Sequence, residues 1–213
     1  MEIIIFGAGG HGASLANVAV SAGFSVQYFV DQKKFPNNQF MGIEVRRKIK
    51  RVHQAKLNVA IGIGDNWMRQ SIYLGLRTQY NGLVFPSLIH SSAIISQNVK
   101  IGDGTVLMPN VVIGPNTKIG KFCILNTSSQ LDHDGCIKSY SSLAPGVVIG
   151  GGVSIGTRTA ICIGAIVKHA VVIGSDVIVG GNSYVNKNIA SKKLVYGTPA
   201  MIIRSRGKSE SYL

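Results

Sequence analysis

The stretch Val111–Gly120, VVIGPNTKIG, contains one short unit twice: Ile113 and Ile119 stand six residues apart, and glycine follows each. Extended in both directions, the same step lands on Ile, Leu or Val at seventeen consecutive positions. They run from Ile89, Ile95, Ile101 and Leu107 through Leu125, Leu131, Ile137 and Leu143 to Val185. Four residues after each aliphatic comes a small or β-branched residue, as at Val99, Thr105, Val111, Thr117, Cys123 and Ser129. One residue after it, glycine recurs at Gly102, Gly114, Gly120, Gly150, Gly156, Gly174 and Gly180. Neither a 3.6-residue helix nor a two-residue strand alternation gives a period of six. A coil with three flat faces does, each unit being a short strand and a corner, so that eighteen residues close one turn. The aliphatic fills the interior, the small residue packs near the corner, and glycine relieves backbone crowding. The period predicts a parallel β-helix and leaves its hand open.

The rest of the composition narrows the partners. The 213 residues carry 22 Lys+Arg against nine Asp+Glu, spread along the whole chain, a balance suited to anionic ligands. The one dense run, RRKIKR at Arg46–Arg51, has no interleaved aromatics and reads as a solvated face rather than a nucleic-acid site. Cys123, Cys136 and Cys162 lack metal-ligand spacing and read as free thiols of a reducing compartment. MEIIIFG has no signal-peptide character, and no apolar run reaches the ~18 residues of a membrane span. The expected location is the cytoplasm.

Residues 1–88 follow a different punctuation. EIIIF reads as a buried strand, Gly7-Ala8-Gly9-Gly10-His11-Gly12 as a glycine-rich turn, and ASLANVAVSAG as a helix. Strand, turn and helix in that order place backbone amides where a phosphate binds. A second strand ends at Asp31, spaced to meet a ribose hydroxyl. A third, LNVAIGIG, leads through Asp65-Asn66, an expected helix N-cap, into WMRQSIYLGL. This is one mononucleotide-binding half, too short for the two halves that a dinucleotide uses. The expected organisation is a Rossmann-like domain over 1–88, a β-helix over 89–190 and a tail over 191–213.

The cluster Asp132-His133-Asp134 interrupts the repeat two residues after an interior leucine, so His133 falls on a corner and points outward. A neighbouring carboxylate fixes an imidazole's tautomer and stabilises its charged form.

Taken in order, GAGGHG, FVD, IGDNxxR (Ile63 to Arg69), LIHSSAIIS, ILNTSS, the HD pair and GTPAMIIR resemble the hexapeptide-repeat acetyltransferases of the sialic acid O-acetyltransferase family. That family includes N-acetyltransferases of UDP-linked 4-amino sugars. The resemblance implies a left-handed β-helix, a homotrimer, and acetyl-CoA as co-substrate in the cleft between neighbouring prisms. It implies a nucleotide-linked (UDP) amino sugar as acceptor, with His133 as general base and Asp134 raising its basicity. It places Ile163, Gly180 and Gly181 along the CoA cleft, with Gly197 and Pro199 in the tail closing over it. It places Gly9, Gly10, His11 and Gly12 around the diphosphate, Asp31 near the nucleoside, and Gly64 with Asn66 on the opposite wall. Two departures stand out: Ser142 replaces a second histidine common in the family, and Lys138 stands where glycine is common. The alternatives are a sugar O-acetyltransferase acting on sialic acid, and a non-catalytic nucleotide-sugar scaffold. A zinc site of the β-helical carbonic anhydrase kind fits poorly. His133 and His169 are two coils, roughly 9.6 Å, apart, and Gly174 stands where a third histidine would be needed. No metal is expected.

Overall fold

The computed structural model describes residues 1–50, 56–207 and 209–211. The chain opens with an α/β unit. Strands β1 (Glu2–Phe6), β2 (Ser25–Val30), β3 (Gln39–Phe40), β4 (Ile43–Arg46), β5 (Leu57–Ile61) and β6 (Leu83–Val84) form one sheet in the order β3-β4-β2-β1-β5-β6. All neighbours are parallel except β3 and β4. Helix α1 (Gly10–Ser21) follows β1, and α2 (Asn66–Gln79) follows β5. Because β1 sends its chain to β2 on one side while β5 lies on the other, the loops after β1 and β5 flank the switch point. That is where α/β sheets bind ligands.

Two glycines of the first loop, Gly7 and Gly12, are required by that packing. A Cβ on Gly12 would lie 2.1 Å from the Gly7 carbonyl oxygen, and Gly7 itself has φ +109°. The basic run divides: Arg46 pairs with Glu44 and lies over the Tyr28 ring, Ile49 is buried, and Arg51 lies outside the described residues.

From Leu88 onward the chain winds into a left-handed parallel β-helix with three flat faces. Two-residue strands pair in parallel with the strands eighteen positions away, Leu107 beside Ile89 and Leu125, Ile113 beside Ile95 and Leu131. The first face runs from Leu88–Ile89 to Ile178–Val179, the second from Ile94–Ile95 to Tyr184–Val185, the third from Lys100–Ile101 to Val172–Ile173. The aliphatic ladder forms the interior, buried from Leu107 to Val185; only the opening coil, with Ile95, is left partly open. Each interior side chain contributes about 1.5–3 kcal/mol over an exposed one.

The small-residue ladder does more than save space. Thr105, Thr117, Ser141 and Thr159 each donate a hydroxyl hydrogen bond to the carbonyl fifteen residues ahead, at 2.6–3.1 Å, tying one coil to the next. The Cys123 thiol does likewise toward Lys138, and burial pushes its pKa up to about 11. The glycine ladder allows coils to touch: a Cβ on Gly114 would lie 2.6 Å from the His133 amide nitrogen. A hairpin of Lys193–Tyr196 and Met201–Ser205 extends the first face beyond Ile178–Val179.

The two parts lock where α2 meets the corner between the third and first faces. Arg69 is 1% exposed there. Its guanidinium donates to the carbonyls of Phe122 (2.8 Å) and Tyr140 (3.0 Å) on the prism, and of Gly64 (2.8 Å) and Ile63 (3.1 Å) in its own unit. Tyr73 packs at 4.4 Å from Phe122, which stacks on Tyr140, and Arg158 of the next coil donates to Gln70.

Candidate active site

His133 sits on the corner between the second and third faces, two residues beyond the interior Leu131. Its Nδ1 is 2.7 Å from Asp134 Oδ2, and its Nε2 is 4.0 Å from Asp132 Oδ2. Asp132 also accepts the His133 amide at 2.8 Å. The hydrogen bond that His133 gives to Asp134 and the charge of Asp132 raise the His133 pKa above its ordinary value, while Asp134 is lowered by the same bond and by Asn116. An ionised Asp134 can only accept, so the proton lies on His133 Nδ1 and the neutral ring presents a lone pair at Nε2.

The backbone explains part of this cluster. Asp134 has φ +56°, and every sixth residue from Asn98 to Asn182 shares that left-handed conformation. Asn and Asp tolerate it better than most residues. Below the ring lies Gly151, one coil on, where a Cβ would stand 2.5 Å from His133 Nε2. Gly151→Ala is therefore expected to leave the melting temperature nearly unchanged, because the exposed ring can swing away, yet to lower turnover about 10²-fold by displacing it. Thermal melts and steady-state rates on the same preparation test this.

A second feature lies one corner away. A cavity of about 510 Å³ opens between the C-terminal edge of the α/β sheet and the first face. His11 and Gly64 line it from the sheet side, and Ser142, Pro145, Cys162 and Ile163 from the prism. The His11 Nε2 is shut off from solvent without a hydrogen-bond partner, and burial together with Arg69 lowers its pKa to about 4. His11 is thus a neutral imidazole facing a mostly apolar space. Gly181 extends the same edge, with its Cα hydrogens toward the Ile163 carbonyl. Gly180 is packed under Tyr196, and Gly197, at φ +110°, precedes the cis Thr198–Pro199 bond.

The remaining expected residues divide. Gly9 and Gly10 are exposed, no side chain caps α1, and a Cβ on either would meet open space, so the helix N-terminus is accessible. Asp31 ties down the loop: its oxygens accept the Ala8 and Lys33 amides, both at 2.8 Å. Asn66 turns inward. It is buried, accepting from Arg69 at 2.6 Å and donating to the Arg158 carbonyl at 3.3 Å, and does not line the cavity. Asp65 caps α2 through the Met68 amide, as its position predicts. Among the described residues no group of three His, Cys, Asp or Glu side chains could hold a metal ion, and no helix is long and apolar enough to cross a membrane.

Residues 2–76 match the PglD N-terminal domain family, and residues 92–127 the bacterial transferase hexapeptide family. A GDP-perosamine N-acetyltransferase of Escherichia coli O157:H7 is 35% identical over 82 residues, 38% of this chain and 37% of that protein. The chain thus spans little more than a third of that curated relative. Solved structures align more fully. A mutant perosamine N-acetyltransferase from Caulobacter crescentus, in complex with CoA and GDP-perosamine, is 28% identical and superposes with a TM-score of 0.86 over 96% of this chain and 98% of that one. The acetyltransferase domain of PglB from Neisseria gonorrhoeae FA1090, in complex with acetyl coenzyme A, is 26% identical with a TM-score of 0.85 over 95% and 98%.

Proposed function

We propose that this chain, which joins a PglD N-terminal domain to a hexapeptide-repeat transferase domain, moves acetyl from acetyl-CoA to the amino group of a nucleotide-linked amino sugar. The observation that carries the reading is the His133–Asp134 pair at 2.7 Å, which leaves Nε2 as the basic atom of an exposed imidazole on a coil corner. The relatives that bind CoA and GDP-perosamine support the substrate class.

In a ternary complex, His133 Nε2 takes a proton from the acceptor nitrogen as that nitrogen bonds to the thioester carbonyl carbon. The C–S bond then breaks, and the imidazolium returns its proton to the departing sulfur. Asp134 holds the ring and stabilises its charged form. The open N-terminus of α1, exposed at Gly9 and Gly10, suits the acceptor's diphosphate. The apolar edge of Ile163 and Gly181 suits the pantetheine arm of CoA.

The His133 corner and the Ile163 corner are separated within one chain by the whole second face. That face presents apolar side chains on either side of the exposed Gln130, with Ile94 62% exposed, Ile166 47% and Val148 37%. Second faces brought together in a homotrimer carry His133 of one copy to the Ile163 edge and the cavity of the next.

The test is thiol release from acetyl-CoA with UDP-, GDP- and dTDP-linked amino sugars and free sialic acid. Turnover with a nucleotide-linked amine is expected, and the nucleotide that works decides between the UDP-linked acceptor the sequence suggests and a GDP-linked one. Turnover with sialic acid alone would replace N-acetylation by O-acetylation.

The raised His133 pKa gives a further expectation. The base works only when neutral, so the acid limb of kcat/KM lies above the 6.5 of a free imidazole. Asp134→Asn, which suits the left-handed corner as Asn98, Asn110 and Asn116 do, removes the largest cause of the shift. Its limb moves down in pH while its plateau falls. A limb that stays in place would take Asp134 out of the mechanism.

A further inference from the structure

An open groove of about 780 Å³ runs along the third face and ends at Asp134, beside the proposed base. Lys100, Lys118 and Lys138 line it, and all three are exposed. Lys100 and Lys118 are direct partners on adjacent parallel strands. Like charges placed so are destabilising, and among the described residues no carboxylate forms an ion pair with any of the three lysines. Asp134 shares the groove, but its oxygens are taken up by His133 Nδ1 at 2.7 Å and Asn116 Nδ2 at 3.2 Å. The chain thus holds a repulsive stack of ammonium groups next to its reactive corner, with the single Asp134 carboxylate at its end and, among the described residues, no ion pair to any of the three.

The three faces differ in what covers them. The α/β unit lies against the first, where α1 contacts the Leu88–Ile89 and Val106–Leu107 strands. The second carries the exposed Ile94, Val148 and Ile166. If second faces meet around an axis, the third face of each copy opens onto the first-face side of its neighbour, where that neighbour's α1 N-terminus is exposed. We propose that Lys100 and Lys118 of one copy, with Lys138 at the margin, bind the diphosphate of the nucleotide-linked sugar held by the α/β unit of the next copy. A lysine pair that repels itself in the free protein becomes a bridge across two phosphates in the complex. This rests on the acetyltransferase reading above and adds the residues that complete the acceptor site. CoA carries phosphates too, so the test separates the two sources.

The variant is Lys100→Gln with Lys118→Gln. Expected are a KM for the nucleotide-linked sugar raised about tenfold or more, a KM for acetyl-CoA within about twofold of wild type, and a weaker salt dependence of the acceptor KM. Removing a like-charge pair leaves the melting temperature the same or higher. An unchanged acceptor KM overturns the proposal, and so does a rise confined to the acetyl-CoA KM, which would assign the groove to CoA. Calorimetric titration of wild type and variant with UDP and GDP keeps this separate from the reaction itself. Weaker nucleotide binding by the variant would uphold the groove even if no amino sugar turned over. Failure of the wild type to bind either nucleotide would overturn it.

Discussion

Alanine at position 133 is expected to lower kcat about 10²–10⁴-fold while leaving KM for acetyl-CoA and the melting temperature close to wild type. The prediction is sharp because the side chain does so little for the fold. His133 is exposed, its ring is hydrogen-bonded to the neighbouring Asp134, its amide and carbonyl bond through backbone atoms that alanine keeps, and the left-handed corner that follows belongs to Asp134. Activity can therefore be removed without touching the interior ladder. His133→Asn provides a second arm, retaining a polar group of similar size that cannot accept the acceptor's proton. Stopped thiol-release assays at saturating acceptor are the measurement. A loss smaller than about tenfold in both variants would mean that the acceptor amine gives up its proton to water, with His133 as a bystander.

The second large effect falls on stability. Arg69→Met is expected to cost roughly 3–5 kcal/mol, because it leaves four carbonyls and the Asn66 amide oxygen without the buried donor that now joins them. Two of those carbonyls belong to the prism and two to the loop carrying Gly64, so the loss also frees the α/β unit from its seat. The melting temperature should fall by about 10 °C or more. Limited proteolysis should then cut the α/β unit while the prism survives, because each coil of the prism is held by its neighbours. Acceptor KM should rise even at temperatures where the variant is folded, since Gly64 lines the cavity. A melting point within a degree or two of wild type would show that water replaces the guanidinium.

The two expectations were not equally open to the sequence. The six-residue aliphatic ladder is legible because one rule repeats seventeen times, and the packed interior follows it from Leu107 to Val185. A further, looser ladder was also available and carries the corner geometry: Asn98, Gly104, Asn110, Asn116, Gly146, Gly152, Gly164 and Asn182 tolerate a left-handed backbone, though Phe122, Tyr140, Arg158 and Ala170 adopt it at the same step. That ladder also supplies a local reason for an aspartate at position 134, so the carboxylate alone was weak evidence of chemistry, and its contact with the ring is what distinguishes it. Gly151 could have been found by counting eighteen residues on from His133.

Arg69 could not be read in the same way. Its motif was visible, but its prism acceptors lie 53 and 71 residues away, and arginine is seldom so deeply buried. The resemblance places Asn66 with Gly64 on the acceptor wall. Gly64 precedes helix α2 and lines the cavity, whereas Asn66, the first residue of the helix, turns into the clamp, a distinction made by the helix start and not by the motif.

The in-register pairing of strands eighteen residues apart sets a grammar for changes of length in this chain. A whole turn inserted beyond Gly152 would lengthen the prism by ~4.8 Å and restore every downstream residue to its own face. Six or twelve residues would still satisfy the hydrophobic interior, so the lengthened chain would remain stable. They would, however, rotate everything downstream by one or two faces, carrying Ile163 and Gly181 off the edge they share with Pro145. Stability reads this chain in sixes, and the reactive edge reads it in eighteens.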